Sequence, residues 1–206
     1  MEWSDVLDPD LEPREVICEK VPAFHKHRLE QFRSFVKTSL IFSLEFEDSG
    51  EKFTLELGPD GAQAEPHEMI DFPQATVRGG ADRWHRSVEL ARRLAEPADE
   101  QITRHQGRIC ITEELKIGFE AFDGVLEVEV VELPDDDEPL CFDVILNDYQ
   151  EPAGARRAQL TVRWPVLERL ANGSVDPVEA ARSITVRGAM GLAFDIGGFL
   201  MKELEL

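Results

Sequence analysis

The sequence predicts an α+β fold made of two similar halves, each with mainly antiparallel strands. Segments in which apolar and polar residues alternate, as in half-buried strands, stand among segments whose apolar residues recur every three to four positions, as in amphipathic helices. The same order of strands and helices occurs twice along the chain. With 206 residues, of which 42% are hydrophobic, the chain can form one good-sized domain or two small ones.

The chain is expected to begin with an acidic N-terminal lead, residues 1–22, whose first ten residues are predicted to be disordered. Pro22 suits the first turn of a helix. Leu29, Phe32 and Val36 then follow at helical spacing and indicate one apolar face. A helix is therefore predicted at the start of the first half, residues 23–124.

A β-hairpin is predicted directly after this helix. Apolar and polar residues alternate over residues 40–47 and again over residues 53–57, with the turn sequence Asp48-Ser49-Gly50 between them. Pro59-Asp60-Gly61 ends the second strand with turn chemistry. The rest of this half is predicted as a loop over residues 62–73, a strand over 74–79, a helix over 81–97 and a strand over 107–114, with residues 115–122 either a short helix or further extended chain.

The second half, residues 125–206, presents the same kinds of element. Two alternating strands are joined by an acidic loop over residues 134–139. Asp176 can cap a helical turn that has Pro177 in its first turn. The predicted elements are strands over residues 125–133, 139–148, 158–164 and 183–188, a helix over 165–173 and a closing helix over 189–206.

An internal repeat would explain why the two halves are alike. The alternative is that two strand-rich stretches resemble each other in composition alone. We favour the repeat, because the order of elements agrees as well as individual residues. The matching residues are Thr76-Val77-Arg78 with Thr161-Val162-Arg163, Glu96-Pro97 with Asp176-Pro177, and Ile111 and Phe119 with Val186 and Phe194.

The composition disfavours two classes of partner. Twenty-two Lys and Arg residues oppose 42 Asp and Glu residues, which gives a net charge of −20. A chain this acidic repels phosphate backbones and anionic membrane surfaces, so no nucleic-acid partner is expected. No apolar run is long enough for an integral membrane segment, and the N-terminus lacks the features of a signal peptide. Three widely spaced cysteines fit a reducing compartment, so the expected location is cytoplasmic.

No group of residues indicates catalysis, and the chain is expected not to be an enzyme. It contains neither a nucleophile-elbow motif nor a Gly-rich phosphate loop, and no cofactor or metal site is predicted. His25 and His27 are two positions apart on a helix, point to different faces, and are expected to be surface histidines. Cys110 and Cys141 fall in predicted strands, where each is expected to serve as a small buried hydrophobe.

Turn residues in the second half carry a resemblance to a known family. Asn172-Gly173, Asp176-Pro177 and Arg187-Gly188 stand among a strand, a short helix, a further strand and a final apolar helix. In this respect the half resembles the sterol carrier protein domain of nonspecific lipid-transfer proteins. The first half is similar in order but lacks the Asn-Gly turn, so the resemblance implies two divergent tandem copies. It implies for each a sheet covered by helices on one face, with an apolar tunnel for sterols, fatty acids or acyl-CoA.

The closing helix is expected to cover such a tunnel in the second half. The strand residues chosen for its wall are those that alternation places on one face, and the helix residues form one stripe. No comparable tunnel is expected in the first half, where Glu113, Glu114 and Lys116 open the closing segment and would be costly to bury. The predicted ligand-binding residues are Phe142, Val144, Leu160, Val162, Leu167, Leu170, Met190, Phe194 and Met201.

The glycines of the closing helix leave its role open. Gly191, Gly197 and Gly198 indicate either a close approach of the backbone to another element or a loose, mobile lid. The first functional hypothesis is a soluble binder or carrier of an apolar ligand, such as a lipid, a fatty acid or a sterol-like molecule. The alternative is a non-catalytic interaction or scaffold protein whose acidic surface recruits a basic protein partner.

Overall fold

The computed structural model describes residues 1–104, 110–134 and 136–203. Its strands form a single mixed sheet of eight strands, in the order β3-β2-β1-β4-β6-β5-β7-β8. Helices accompany the sheet, so the predicted α+β class is confirmed. The strands are β1 (Leu40–Phe46), β2 (Lys52–Gly58), β3 (Gly61–Glu65), β4 (Ala75–Gly79), β5 (Gly124–Val131), β6 (Leu140–Leu146), β7 (Arg157–Arg163) and β8 (Thr185–Gly188).

One sheet stands where two were predicted. Strands β1 and β2 form a hairpin, and β4 runs parallel to β1; β5 and β6 form a second hairpin, and β7 runs parallel to β5. The two groups join where β4 pairs with β6 in antiparallel register, with Thr76 opposite Ile145 and Val77 opposite Val144. The backbone hydrogen bonds of β4 and β6 therefore continue the sheet across the predicted boundary between the halves.

The α-helices pack against the sheet and against one another. Three buried clusters form this packing: Ile17 with Phe46 and Phe53, Leu90 with Val130, Leu133 and Trp164, and Leu146 with Ala158, Leu192 and Ile196. The helices are α1 (Trp3–Val6), α2 (Pro13–Glu15), α3 (Val21–His27), α4 (Leu29–Phe35), α5 (Trp84–Arg104), α6 (Glu113–Phe119), α7 (Trp164–Ala171), α8 (Pro177–Arg182) and α9 (Met190–Glu203).

The two faces of the sheet differ in character. The helical face is the one that carries Leu44, Val77 and Phe142, which lie against helices. The opposite face, which we call the open face, carries Arg78 and Asp143, which are opposite each other in neighbouring strands. At its other end Thr76 and Ile145 are buried, and Thr76 Oγ1 donates to the Asp148 carbonyl at 2.7 Å. No helix within the described ranges is long and apolar enough to cross a bilayer.

The N-terminal lead is helical rather than disordered. Residues 3–6 form α1, and a π-helical turn, Val16–Lys20, links α2 to α3. Val6 is fully buried and Ile17 nearly so, and the rings of Trp3 and Phe24 lie 4.4 Å apart. The acidic composition of this segment is misleading, because apolar residues such as Val6 and Ile17 are buried while most of its carboxylates are exposed.

The end of the first half also differs from the prediction. Of the strand predicted over residues 107–114, residues 107–109 lie outside the described part of the chain. Ile111 forms only an isolated bridge with Val36, and Thr112 caps α6 by accepting a hydrogen bond from the Leu115 backbone N–H at 3.3 Å. Of the two alternatives for residues 115–122, the helix is therefore the one found as far as Phe119. Strand β6 pairs with the edge of β4, the position that a closing strand of the first half would have taken.

Two further elements differ in extent. Strand β3 takes up the first part of the predicted loop over residues 62–73 and pairs with β2, because the turn before Gly61 reverses the chain directly onto that strand. Helix α5 continues through Pro97 to Arg104, whereas the prediction ended it at Pro97. Asp176, by contrast, caps α8 as predicted, with its carboxylate accepting from the Val178 backbone N–H at 2.8 Å.

Candidate functional site

An apolar cavity of about 290 Å³ lies between the sheet and helices α5 and α7. We call it the α5–α7 cavity. Its floor comes from both predicted halves, since β1 and β4 contribute beside β5 and β6. Its lining residues are Leu44, Glu45, Phe46, Val77, Gly79, Gly80, Trp84, Ser87, Leu90, Ala91, Leu94, Val130, Leu140, Phe142, Trp164 and Leu167.

Local sequence explains how each wall forms. Alternation along β1 and β6 places Leu44 and Phe142 on the helical face. On α5, Ser87, Leu90, Ala91 and Leu94 recur at helical spacing and form the roof. Helix α7 begins at Trp164, directly after β7 ends, and this position places the Trp164 indole in the cavity wall.

Few polar side-chain atoms accompany this apolar lining. Glu45 belongs to the open face, where its carboxylate lies 3.2 Å from Arg78 Nε and 3.6 Å from Lys52 Nζ. Trp84 Nε1 donates to the carbonyl of Leu11 at 2.8 Å. Trp164 Nε1 is buried and has no hydrogen-bond partner. The cavity can therefore hold an apolar molecule, but it offers no arrangement for acid–base or nucleophilic chemistry.

The nine residues predicted from the sequence are not brought together. Phe142 and Leu167 line the α5–α7 cavity. Val144 packs against the cluster beneath α9, and Leu160 and Val162 lie in β7. The three exposed members are Leu170, Met190 and Phe194, and Met201 is half-buried on α9.

The stripe of α9 that was expected to face a tunnel points outward. Met190 is 52% exposed and Phe194 is 65% exposed, whereas Leu192 and Ile196 are buried against the sheet. This helix is apolar on nearly every side, so helical periodicity alone could not identify its buried face. The cavity found lies beneath α5, and not beneath α6 or α9, the closing segments of the two predicted halves.

The glycines of α9 make no close approach to another element. A Cβ atom placed on Gly191, Gly197 or Gly198 would meet no atom within 4 Å. The close approach occurs instead in α6, where a Cβ on Gly118 would lie 2.6 Å from the ring of Phe199. The three glycines of α9 were predicted to mark either a close backbone approach or a loose lid. The close approach is not found.

The open face of the sheet carries a row of charged residues. Arg157 holds part of it together by donating from Nε to Glu151 at 2.8 Å and from its terminal nitrogens to Glu127 and Glu151. Asp143 lies 3.6 Å from the same guanidinium. The registers place in one row Lys52, Glu45, Arg78, Asp143, Glu127, Gln159 and Arg187, one from each of seven strands.

The electrostatics of this row fit structural ion pairing. Hydrogen bonds from Gln159 and Arg157 lower the pKa of Glu127, and the hydrogen bond from Arg157 lowers that of Glu151. Burial raises the pKa of Asp143, and the positive charge of Arg157 opposes this effect. These carboxylates are thus paired with the guanidinium of Arg157. Such ion pairs between neighbouring strands stabilise the pairing of the strands.

The histidines and cysteines occupy positions that differ in part from the predictions. His27 is exposed as expected, but His25 is 1% exposed. Cys141 is exposed on β6 and Cys110 lies outside the strands, so neither is the buried strand residue predicted. Burial raises the pKa of the Cys18 thiol. Among the residues that the structure describes, no group of three His, Cys, Asp or Glu side chains could hold a metal ion.

Sequence reasoning missed most of the cavity. The alternation of residues 42–46 and 140–146 did indicate apolar strand faces, and the spacing along α5 indicated an apolar helix face. What could not be read was that β4 and β6 are neighbours, because long-range pairing of strands leaves no local signal. The cavity depends on that pairing, since its floor includes Val77 and Phe142 from these two strands.

No family model, curated protein or solved structure matches this chain. The resemblance to sterol carrier proteins therefore remains a prediction.

Proposed function

We propose that the protein is a non-catalytic binder or carrier of a small apolar ligand held in the α5–α7 cavity. The observation that carries this proposal is a cavity of about 290 Å³ lined almost wholly by aliphatic and aromatic side chains. An apolar cavity of roughly 150 Å³ in another protein is large enough to bind benzene. The free thiols of the three cysteines support a cytoplasmic location for this function.

The volume constrains the ligand. Ligand pockets commonly begin at roughly 300 Å³, so this cavity is at the small end of the range. A short acyl chain or a molecule of one or two rings fits this space better than a complete sterol does. The proposed ligand class is therefore narrower than the lipids that the family resemblance implies.

Native mass spectrometry of freshly purified protein tests this function. We expect a small apolar molecule to accompany the wild-type chain. The Val77→Phe variant places a ring in the cavity and should lose that mass, because the ring occupies the ligand's space. Val186→Phe, a half-buried strand position outside the cavity, is the matched control and should retain it.

The result that would contradict the proposal is a bare wild-type chain that also fails to bind added 2-ethylnaphthalene. Thermal unfolding of both variants must accompany the measurement, because an overpacked core can cost about 1–3 kcal/mol and release a ligand indirectly. Loss of the ligand from both variants alike would also count against this cavity as its site.

A scaffold role is the second candidate, and the outer side of α9 favours it. Met190 and Phe194 are exposed there, and Ile117 on the neighbouring helix α6 is 58% exposed. Large exposed apolar side chains on adjacent helices are typical of protein-binding surfaces. The net charge of −20 favours a basic protein as the partner. A bare chain in the mass spectrum would support this alternative over ligand carriage.

A further inference from the structure

The lining of the α5–α7 cavity contains no positive charge. Its one ionisable member, Glu45, has its carboxylate on the open face beside Arg78. Two arginines of α5 that are near the roof in sequence are paired elsewhere: Arg86 donates to the Glu138 carbonyl at 2.8 Å, and Arg93 pairs with Glu89 at 2.8 Å. An ionised carboxylate placed in this cavity would have no cation among the lining residues to pair with, which is costly in an apolar site.

The end of the cavity at Gly80 is acidic. Asp82 Oδ1 and, at 4.0 Å, Asp48 Oδ2 lie near the position that a Cβ atom on Gly80 would occupy. Asp48 accepts hydrogen bonds from the backbone there, including the Ala81 N–H at 2.8 Å, and these bonds lower the pKa of its carboxyl. An anionic head group at this end would meet like charges, so neither the interior nor this rim suits a fatty acid in its ionised form.

Besides the Ser87 hydroxyl, the cavity lining contains one indole N–H that has no acceptor. Trp164 is 3% exposed, and its Nε1 has no acceptor, although the second indole in the wall, Trp84, donates to Leu11. A buried donor without an acceptor is unfavourable, so most such groups in folded proteins are paired. Nε1 itself has almost no accessible surface, so an acceptor atom on the ligand reaches it only after the indole has turned toward the cavity.

We infer that the ligand is an electrically neutral, apolar molecule that carries one hydrogen-bond acceptor, such as a ketone, aldehyde or ester, and that Trp164 Nε1 donates to this acceptor. This inference rests on the proposed function, because it assigns the chemistry of the ligand in the same cavity. The proposed ligands are therefore neutral carbonyl compounds. Fatty acids and acyl phosphates, which a cationic pocket would bind, are excluded.

Three probes of nearly equal size test the inference: 2-acetylnaphthalene, 2-ethylnaphthalene and 2-naphthoate. Their dissociation constants are measured on the full chain, and the indole N–H signals of ¹⁵N-labelled protein are followed by NMR. We expect 2-naphthoate to bind weakest. The signal of Trp164 should move downfield with the ketone and not with the hydrocarbon, while those of Trp3 and Trp84 serve as internal references.

The Trp164→Phe variant removes the donor and keeps an aromatic ring in the wall. We expect the preference for the ketone over the hydrocarbon to fall about three- to tenfold in this variant, the range expected for one net hydrogen bond. Trp84→Phe is the matched control, because it removes an indole N–H that already has a protein acceptor. It should leave the preference unchanged.

The outcomes separate this inference from the function on which it rests. Equal shifts of the Trp164 signal with ketone and hydrocarbon, or tightest binding of 2-naphthoate, would overturn the inference and leave a binding cavity in place. Failure of all three probes to bind would overturn the proposed function itself. The NMR comparison uses the wild-type chain, so it decides the question even where a variant does not fold.

Discussion

At the scale of single residues, His25 stands out because it is buried without polar partners. It is 1% exposed, its ring stacks on Phe32 with centroids 4.4 Å apart, and neither ring nitrogen has a hydrogen-bond partner. Burial lowers the pKa of this imidazole below its ordinary value. The backbone of Gly58 lies close to the imidazole and opposes this lowering of the pKa in part, although the two groups do not form a hydrogen bond. His25 is therefore neutral in the folded protein at pH 7.

This burial predicts a loss of stability as the pH falls. Below about pH 6.5 the unfolded chain binds a proton at His25 that the folded chain binds only at lower pH. The contribution of this residue is thus fully present above pH 6.5 and is lost as the pH falls, by up to about 1.4 kcal/mol per pH unit until the folded pKa is reached. The free energy of unfolding in urea at pH 7.5, 6.5 and 5.5 measures it.

The His25→Phe variant isolates the effect, because it keeps a ring against Phe32 and cannot titrate. Its free energy of unfolding should depend less on pH over the same interval than that of the wild type. His27→Phe, two positions along on an exposed site, should keep the wild-type dependence. Parallel profiles for wild type and His25→Phe would show that His25 is not the group responsible.

At the scale of elements, α9 combines an apolar buried side with glycines that touch nothing. Leu192 and Ile196 anchor it to the sheet, while Gly191 and Gly198 are exposed. None of the glycines in this helix is held in the left-handed region or lies against another element. Glycine there serves no packing purpose, and it lowers the stability of the helix through the entropy of the unfolded chain.

Replacing Gly198 with alanine should therefore stabilise the protein by about 0.5–1 kcal/mol. Gly118→Ala provides the contrast within a helix, because its new methyl would lie 2.6 Å from a ring carbon of Phe199 and force that ring to move. Gly188→Ala should destabilise, since its φ of +72° disfavours a side chain and the Arg157 carbonyl lies 2.7 Å from the new Cβ. Thermal unfolding ranks the three variants.

A Gly198→Ala variant that melts below the wild type would contradict this assignment. Such a result would mean that a Cβ atom at residue 198 does meet other atoms in the folded chain.

At the scale of the whole molecule, two connections make the chain one folding unit. The backbone ladder between β4 and β6 joins the two hairpin groups. The cluster of Leu90 from α5 with Val130 and Trp164 joins their helices to the same core. Neither group can unfold without exposing apolar surface that belongs to the other.

We therefore predict a single unfolding transition in urea. Far-ultraviolet circular dichroism, tryptophan fluorescence and the NMR signal of Trp164 should give the same midpoint, because all report on one cooperative unit. Trp84 belongs to the predicted first half and Trp164 to the second, so the probes sample both, while Trp3 lies in the N-terminal lead. Two separated midpoints would indicate halves that fold independently, as tandem domains do.

The internal repeat shows how well matches between residues of the two halves predict equivalent positions in the fold. Thr76-Val77-Arg78 and Thr161-Val162-Arg163 both lie in strands that run parallel to the first strand of a hairpin. Pro97, however, lies inside α5, whereas Pro177 begins α8, and Ile111 lies outside the strands while Val186 is in β8. Local residue types matched in all three cases, but only the first pair has equivalent neighbours in the fold.

The amino-acid sequence by itself determined the α+β class, both hairpins, the capped start of α8 and an overall apolar composition sufficient for a core. These features depend on alternation, helical spacing and turn chemistry, which act between residues close along the chain. Only the tertiary structure decided that β4 pairs with β6, that Met190 and Phe194 face outward, and that an apolar cavity lies beneath α5. Each of these depends on which surfaces meet after folding, and burial is shared among residues far apart in sequence, such as Val77, Phe142 and Trp164.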